Sequence, residues 1–332
     1  MTVPTPVLEY LLPLKWSDDA DPAELAELAE YLGRVVTHAR VTLVDGSSPE
    51  ARARHEAALP DEVNVIPADP ELARNGKVAG VLTAIPTLRA EKVIIADDDV
   101  RYTATTLTRM SEALDDHAIV RPQNHFVTAD GSPLPWHARW DTGRTLLNRA
   151  FGSDYPGTLG VRLEYLAGGY DGDLLFENLE LIRTVLARGG RELAADDLFV
   201  VRRPPSTRGF LGQRVRQAYD SFAQPTRLAA ELAILPAALL ASRRPVWLLI
   251  GFAGTAAAAE VGRRRSGGDR IFDRTAALWA PLWVTERGLC IWLALIERAR
   301  GGVRYRDSRL LTAAHSLRAL KSREENRSLT HV

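Results

Sequence analysis

The chain has 332 residues, 46% of them hydrophobic and 25% charged, enough to bury one large core or a core with an appendage. Its single cysteine, Cys290, excludes an internal disulfide and a cysteine-based zinc cluster, which suits a reducing compartment. A formal net charge of zero hides an asymmetry: from Arg227 onward stand 18 Lys+Arg and 9 Asp+Glu of the chain's 42 each, so this segment carries +9 and the remainder −9.

Met1 to Pro6 has no basic region followed by an apolar run and a cleavage site, so the chain reads as not secreted. Val7 to Leu14, with Pro13 near its end, predicts a buried first strand that enters a loop through Lys15, Trp16 and an acidic turn at Asp18 and Asp19. Asp21-Pro22 opens a helix with Leu25, Leu28, Ala29 and Leu32 on one face and Gly33 near its stop. Val41 to Val44 is a second strand ending in Asp45-Gly46-Ser47-Ser48, where Asp45 is either a turn residue or an acid at a ligand-facing strand end. Val63 to Ile66 is a short strand. Asn75-Gly76-Lys77 starts a helix through Ile85, and a lysine at a helix N-terminus marks an anion site or a solvated side chain.

Val93-Ile94-Ile95-Ala96 reads as a buried strand, and Asp97-Asp98-Asp99 falls at its C-terminal end, where open α/β sheets place their ligand crevice. If the strand runs through Val100, Asp97 and Asp99 share a face and form a hard oxygen pair suited to Mg²⁺ or Mn²⁺. The alternative is a solvated turn, with Asp99 or Thr103 capping a helix that starts near Thr105. Ile119 to Arg121 predicts another strand, and Thr128 to Arg144, with Trp136, His137 and Trp140, a long loop serving as lid or acceptor wall. His125 and His137 lack metal-spaced partners and read as structural. A glycine-rich stretch at Gly168-Gly169-Tyr170-Asp171-Gly172-Asp173 leads into a helix from Phe176 that ends at Gly189-Gly190, with Glu177 and Glu180 on neighbouring parts of one face. Leu198 to Val201 is a last strand, followed by a basic loop or helix at Gln213-Arg214-Val215-Arg216.

This set, in this order, resembles the family-2 glycosyltransferases over roughly Val7 to Gln217. The resemblance implies an α/β GT-A fold, a nucleotide-diphosphate sugar donor, a Mg²⁺ or Mn²⁺ cofactor and inversion at the anomeric carbon. By carry-over, Pro13, Asp45, Lys77, Asp97 and Asp98 would bind the nucleotide sugar, with Asp45 at the nucleobase, and Asp97 and Asp99 would hold the metal. Gly169, Asp173, Asn178, Gln213, Arg214 and Arg216 would serve the acceptor or the diphosphate. The chain departs from the family at Asn178, where the family usually has an aspartate base, and at Gln217, where it usually has tryptophan. An amide cannot take a proton, so Glu177 is the expected general base, with Glu180 next and Asp173 third. A sugar-phosphate nucleotidyltransferase would need a glycine-rich phosphate loop after the first strand, and a dehydrogenase a dinucleotide fingerprint, and neither is present. An inactive scaffold is suggested only by Asn178.

After Arg227, the apolar runs Leu228–Ala241 and Pro245–Ala259 are each shorter than the ~20 residues of a comfortable span. Flanking arginines and Trp279, Trp283 and Trp292 suit a membrane interface, with packing on the catalytic domain or another subunit as the alternative. The expected organisation is a catalytic domain over 1–222 and a helical, membrane-associating region over 223–332, on the cytoplasmic side of the membrane and peripheral or monotopic, with an integral arrangement as the alternative. The expected partners are the sugar donor, a lipid-linked or saccharide acceptor and a membrane surface, with no nucleic acid.

Overall fold

The computed structural model describes residues 7–17, 21–305 and 308–330, so Met1 to Pro6 and the acidic turn at Asp18 and Asp19 lie outside it. In chain order the elements are β1 (Leu8–Leu14), α1 (Pro22–Val35), β2 (Arg40–Asp45), α2 (Pro49–Ala58), β3 (Val63–Pro67), α3 (Gly76–Ala84), β4 (Lys92–Ala96), β5 (Val100–Arg101), α4 (Ala104–Asp116) and β6 (Ile119–Phe126). There follow α5 (Trp136–Phe151), β7 (Thr158–Arg162), α6 (Leu163–Leu166), α7 (Glu177–Ala187), β8 (Glu192–Arg202), α8 (Thr207–Gly212), α9 (Arg214–Tyr219), α10 (Pro225–Ala241), α11 (Pro245–Arg264), α12 (Ala280–Ala299), β9 (Val303–Tyr305), β10 (Ser308–Leu310) and α13 (Leu317–Thr330).

The chain forms two compact units, one of residues 1–122, 156–200 and 315–332 and the other of 123–155 and 201–314. The boundary expected after residue 222 falls inside the second unit, because α5, from the first half of the sequence, packs there with α11 and α12.

In the first unit β1 is buried at every residue but Pro13 and pairs in parallel with both β2 and β4, while β2 pairs in parallel with β3. β7 then runs antiparallel to β4 and to β6. The result is a mixed eight-stranded sheet in the order β3-β2-β1-β4-β7-β6-β8-β5, the α/β class expected. Helix starts follow the sequence closely. The Asp21 side chain caps α1, Thr103 and Thr106 form a reciprocal cap on α4, and Asn75 caps α3.

Several expectations are revised. The β4 strand ends at Ala96, so Asp97, Asp98 and Asp99 lie in a turn, and strand alternation does not set their directions. The turn is closed by hydrogen bonds from Val100 N to Asp97 O (3.1 Å) and from Asp97 N to Gly157 O (2.9 Å). Residues 136–144, expected as loop, form the first turns of α5, which Pro135 introduces from its extended conformation. The α2 helix and the β7 strand were not anticipated.

The second unit is mainly helical, and glycine sets its crossings. A Cβ on Gly262 of α11 would stand 1.9 Å from Leu146 O of α5, and one on Gly143 of α5 2.7 Å from Ala280 N of α12. At the α5–α11 crossing lies Arg149, which is fully buried and donates to Gly262 O (3.0 Å), to Gln123 Oε1 (3.0 Å) and to Arg265 O. A buried guanidinium stripped of water depends on such acceptors, and they on it. Arg149→Met should therefore lower unfolding free energy by about 3 kcal/mol, read by urea denaturation of the near-ultraviolet signal. A loss below about 1 kcal/mol would show that the carbonyls find other donors.

Candidate functional site

Strand order reverses between β2-β1 and β1-β4, and the C-terminal ends of β1 and β4 therefore flank a switch point of the kind at which open α/β sheets bind ligands. Pro13, near the end of β1, packs beneath α3: a Cβ on Gly80 would lie 3.0 Å from Pro13 Cβ. The close approach brings the first turn of α3 to the strand ends. Asn75 fixes that turn, accepting from Lys77 N (3.1 Å) and Val78 N (3.4 Å) through Oδ1 and donating to Leu174 O (3.2 Å).

Lys77 then meets acids from two other segments. Its ammonium is 2.6 Å from Asp97 Oδ1 and 3.3 Å from Glu177 Oε1, and it donates to Asn178 Oδ1 at 3.3 Å. Burial works against this charge, but Asp97 and Glu177 outweigh it and hold the ammonium protonated well above the usual lysine range. Asn178 also donates to Pro156 O (2.9 Å), which ties α7 to the segment carrying Gly157. A Cβ on Gly157 would stand 2.2 Å from Asp97 Oδ2, so only glycine leaves this carboxylate its place. Asp98 accepts from the indole N–H of Trp16, and Asp99 is half-buried at the entry to β5.

Asp45 is fully buried, with Oδ1 accepting from Ser47 N (2.8 Å) and Oδ2 2.7 Å from His55 Nδ1. Its carboxylate orders the loop after β2. Asp173 accepts from Arg74 N (3.0 Å), and Gly169 occupies the left-handed region at φ 65°, beside Leu82 of α3. Tyr170 links the two parts of the site: burial first, and then the charges of Glu177, Asp97 and Glu180, push its phenol well up, so all three carboxylates act on one hydroxyl.

Glu180 is fully buried and accepts from His315 N (2.7 Å), with His315 Nδ1 2.9 Å from its other oxygen. Asp171, Glu180 and His315 bring one ligand atom each within 4.8 Å of one another. The positive charge at this cluster is already supplied by Arg323, 3.4 Å from Asp171 Oδ2 and 3.1 Å from His315 Nε2. Hydrogen bonding accounts for the arrangement.

Of the predicted residues, Lys77, Asp97, Glu177 and Asn178 are brought into direct contact. Gln213, Arg214 and Arg216 belong to the second unit. There Arg214 is buried over the Phe210 ring (3.8 Å) and paired with Asp141 (3.5 Å) and Glu286 (3.6 Å), and Arg216 lies over Tyr305 (5.3 Å). Trp16, His55, Gly157, Tyr170 and His315 were not singled out from the sequence. Gly157 follows Pro156, a turn signal, whereas nothing local marks His315, 135 positions from Glu180.

No family model matches the chain, and neither does any curated protein. Among solved structures, the chain is similar to the mannosyltransferase PcManGT from Pyrobaculum calidifontis in complex with GDP-Man and Mn²⁺, at 19% identity over 87% of each chain with a TM-score of 0.48. It is also similar to glucosyl-3-phosphoglycerate synthase from Mycobacterium tuberculosis in complex with Mn²⁺, UDP and phosphoglyceric acid, at 16% identity over 67% of this chain and 78% of that one, TM-score 0.44.

Proposed function

We propose that the chain is a metal-dependent, inverting glycosyltransferase of GT-A type, of the family-2 kind, that moves a sugar from a nucleoside-diphosphate sugar to a hydroxyl of a lipid-linked or cell-envelope acceptor. The observation that carries this reading is the Lys77 ammonium held between Asp97 and Glu177 at the sheet's switch point. A diphosphate leaving group needs cations, and this cluster offers an ammonium beside carboxylates that can hold a metal ion. The first unit, to which residues 315–332 return, supplies the catalytic groups in this reading, in place of residues 1–222 alone.

Asp97 and Asp99 fit Mg²⁺ or Mn²⁺. Both are carboxylates at the turn after β4, Asp97 is 28% exposed, and Gly157 leaves room for its second oxygen. The ion would neutralise charge on the departing diphosphate. Lys77 contributes a fixed positive charge beside it, and Asp45 orders, through Ser47 and His55, the loop that receives the nucleobase.

The region after residue 222 supplies membrane attachment on the cytoplasmic side, peripheral or monotopic. Its α11 begins a segment, Pro245–Arg270, long and apolar enough to cross a membrane, and only 11% of its apolar window is buried. Leu239, Leu240, Val246, Trp247, Leu249, Ile250 and Phe252 stand exposed on α10 and α11, with Arg243 and Arg244 exposed at the turn between them. Apolar side chains beside arginines suit an anionic lipid interface.

Three outcomes test these assignments. Asp99→Asn should abolish sugar transfer, as should excess EDTA on the wild type. Full turnover in either case removes the metal from the mechanism. Gly157→Ala should press on Asp97 and cost ~10-fold or more in turnover while cooperative thermal unfolding is kept; wild-type turnover would show that Asp97 has freedom the packing denies it. Wild type should cosediment with anionic liposomes, and Trp247→Glu with Leu249→Glu should stay in the supernatant. Equal partition of the two proteins would dispose of α11 as the attachment surface.

A further inference from the structure

His315 opens the segment by which the chain re-enters the first unit, and its neighbours determine which nitrogen carries its proton. Nε2 lies 3.1 Å from an Arg323 amino group, which can only donate, so Nε2 holds the lone pair. Nδ1 therefore carries the hydrogen and donates to Glu180 Oε1 at 2.9 Å, while the His315 backbone N–H donates to Oε2 at 2.7 Å. Arg183 secures the same residue by donating to His315 O at 2.6 Å. A buried carboxylate that fixes one ring nitrogen so that the other presents a lone pair is how an imidazole is held as a proton acceptor.

The site has an opening for such a group. Asn178 cannot take a proton, and Glu177 is engaged by the Lys77 ammonium at 3.3 Å. Glu180 lies one turn beyond Glu177 on α7, ~4.5 Å along the axis, and the charges of both reach the Tyr170 hydroxyl. Asp171 and Arg323, which flank the imidazole, line a pocket of about 670 Å³ with Gly168, Gly169 and Tyr170.

We infer that His315, positioned by Glu180, is the catalytic proton acceptor for the incoming hydroxyl, an assignment that rests on the glycosyl-transfer reading above. As the hydroxyl oxygen bonds to the anomeric carbon, its proton passes to Nε2. The bond from that carbon to the diphosphate oxygen breaks, and its electron pair leaves with the nucleoside diphosphate. The imidazolium keeps its Nδ1–H bond to Glu180, now an ion pair, with Asp171 3.8 Å away. Arg323, more than half exposed, swings aside to admit the hydroxyl. The charged groups facing the imidazole are Glu180 from α7, Asp171 from the loop before it and Arg323 from α13, and Arg183 faces the backbone carbonyl.

The test compares His315→Asn, Glu180→Gln and Glu177→Gln with wild type in sugar transfer across pH, beside calorimetric binding of nucleoside diphosphate in Mn²⁺. His315→Asn keeps a donor for Glu180 and loses the acceptor nitrogen. It should lower kcat at least ~10²-fold, leave nucleotide affinity unchanged and abolish the acid-side fall of the wild-type pH–rate profile. Added imidazole should return part of the rate to His315→Ala, and Glu180→Gln should displace the acid-side fall. Near-normal turnover in His315→Asn, or loss of the acid-side fall in Glu177→Gln instead, overturns the assignment. Loss of Mn²⁺-dependent nucleotide affinity in His315→Asn also overturns it, because the cluster would then hold a cation. A wild type that transfers sugar from no donor defeats the glycosyl-transfer reading itself, whereas a competent wild type matched by His315→Asn defeats the dyad alone.

Discussion

A single ammonium organises the strand ends at the switch point of the sheet. Lys77 is only 14% exposed, and removing a lysine charge from water costs several kcal/mol unless partners offset it. Those partners come from separate stretches: Asp97 from the turn after β4, and Glu177 and Asn178 from the start of α7. Each must then be held in place. Asn75 fixes the first turn of α3 and reaches Leu174, and Gly157 gives Asp97 its space and a carbonyl for its backbone N–H. A change at any of these positions therefore acts on the same charge, even though the residues lie as far apart as 75 and 178.

The sequence was most legible where local chemistry decides structure. Asp21, Asn75 and Thr103 are caps because short polar side chains satisfy the free amides of a first turn, and β1, β2 and β4 are strands because short, mainly apolar runs, leucine-rich in β1 and β-branched in β2 and β4, are buried on both faces. The acids that recur where strands stop, Asp45 and Asp97 to Asp99, were legible as strand ends. It failed where a long-range contact decides. Residues 136–144 carry aromatic and polar side chains without a clear period, yet Trp136, His137 and Trp140 gather around Phe210 and the segment becomes helix. His315 has no motif around it, and only the fold brings it to Glu180. Asp97 and Asp99 were placed on one face by assuming the strand continued, and a turn closed by Val100 N on Asp97 O ends it instead.

The second unit handles charge differently. Arg149 donates to two backbone carbonyls and an amide oxygen where α5 and α11 cross at a glycine. Arg214 of the same unit stacks on Phe210 and pairs with Asp141 and Glu286. Guanidinium suits both settings because it is planar, always charged and donates in several directions. From Arg227 onward the arginines likewise divide into buried ones, Arg263 and Arg287, and exposed ones, such as Arg243 and Arg244, that leave charge at the surface. The +9 imbalance measured along the sequence overstates what a partner would meet.

Asn178 makes better sense as a member of the Lys77 cluster than as a lost base. An aspartate there would put a third carboxylate beside one ammonium and would turn an oxygen toward Pro156 O, with which it could only repel. The amide does both jobs at once, accepting from Lys77 through Oδ1 and donating to Pro156 O through Nδ2. Through Pro156 it also steadies Gly157, and through Gly157 the position of Asp97. The same residue that places an amide instead of a carboxylate at the start of α7 thereby sets the carboxylate geometry after β4.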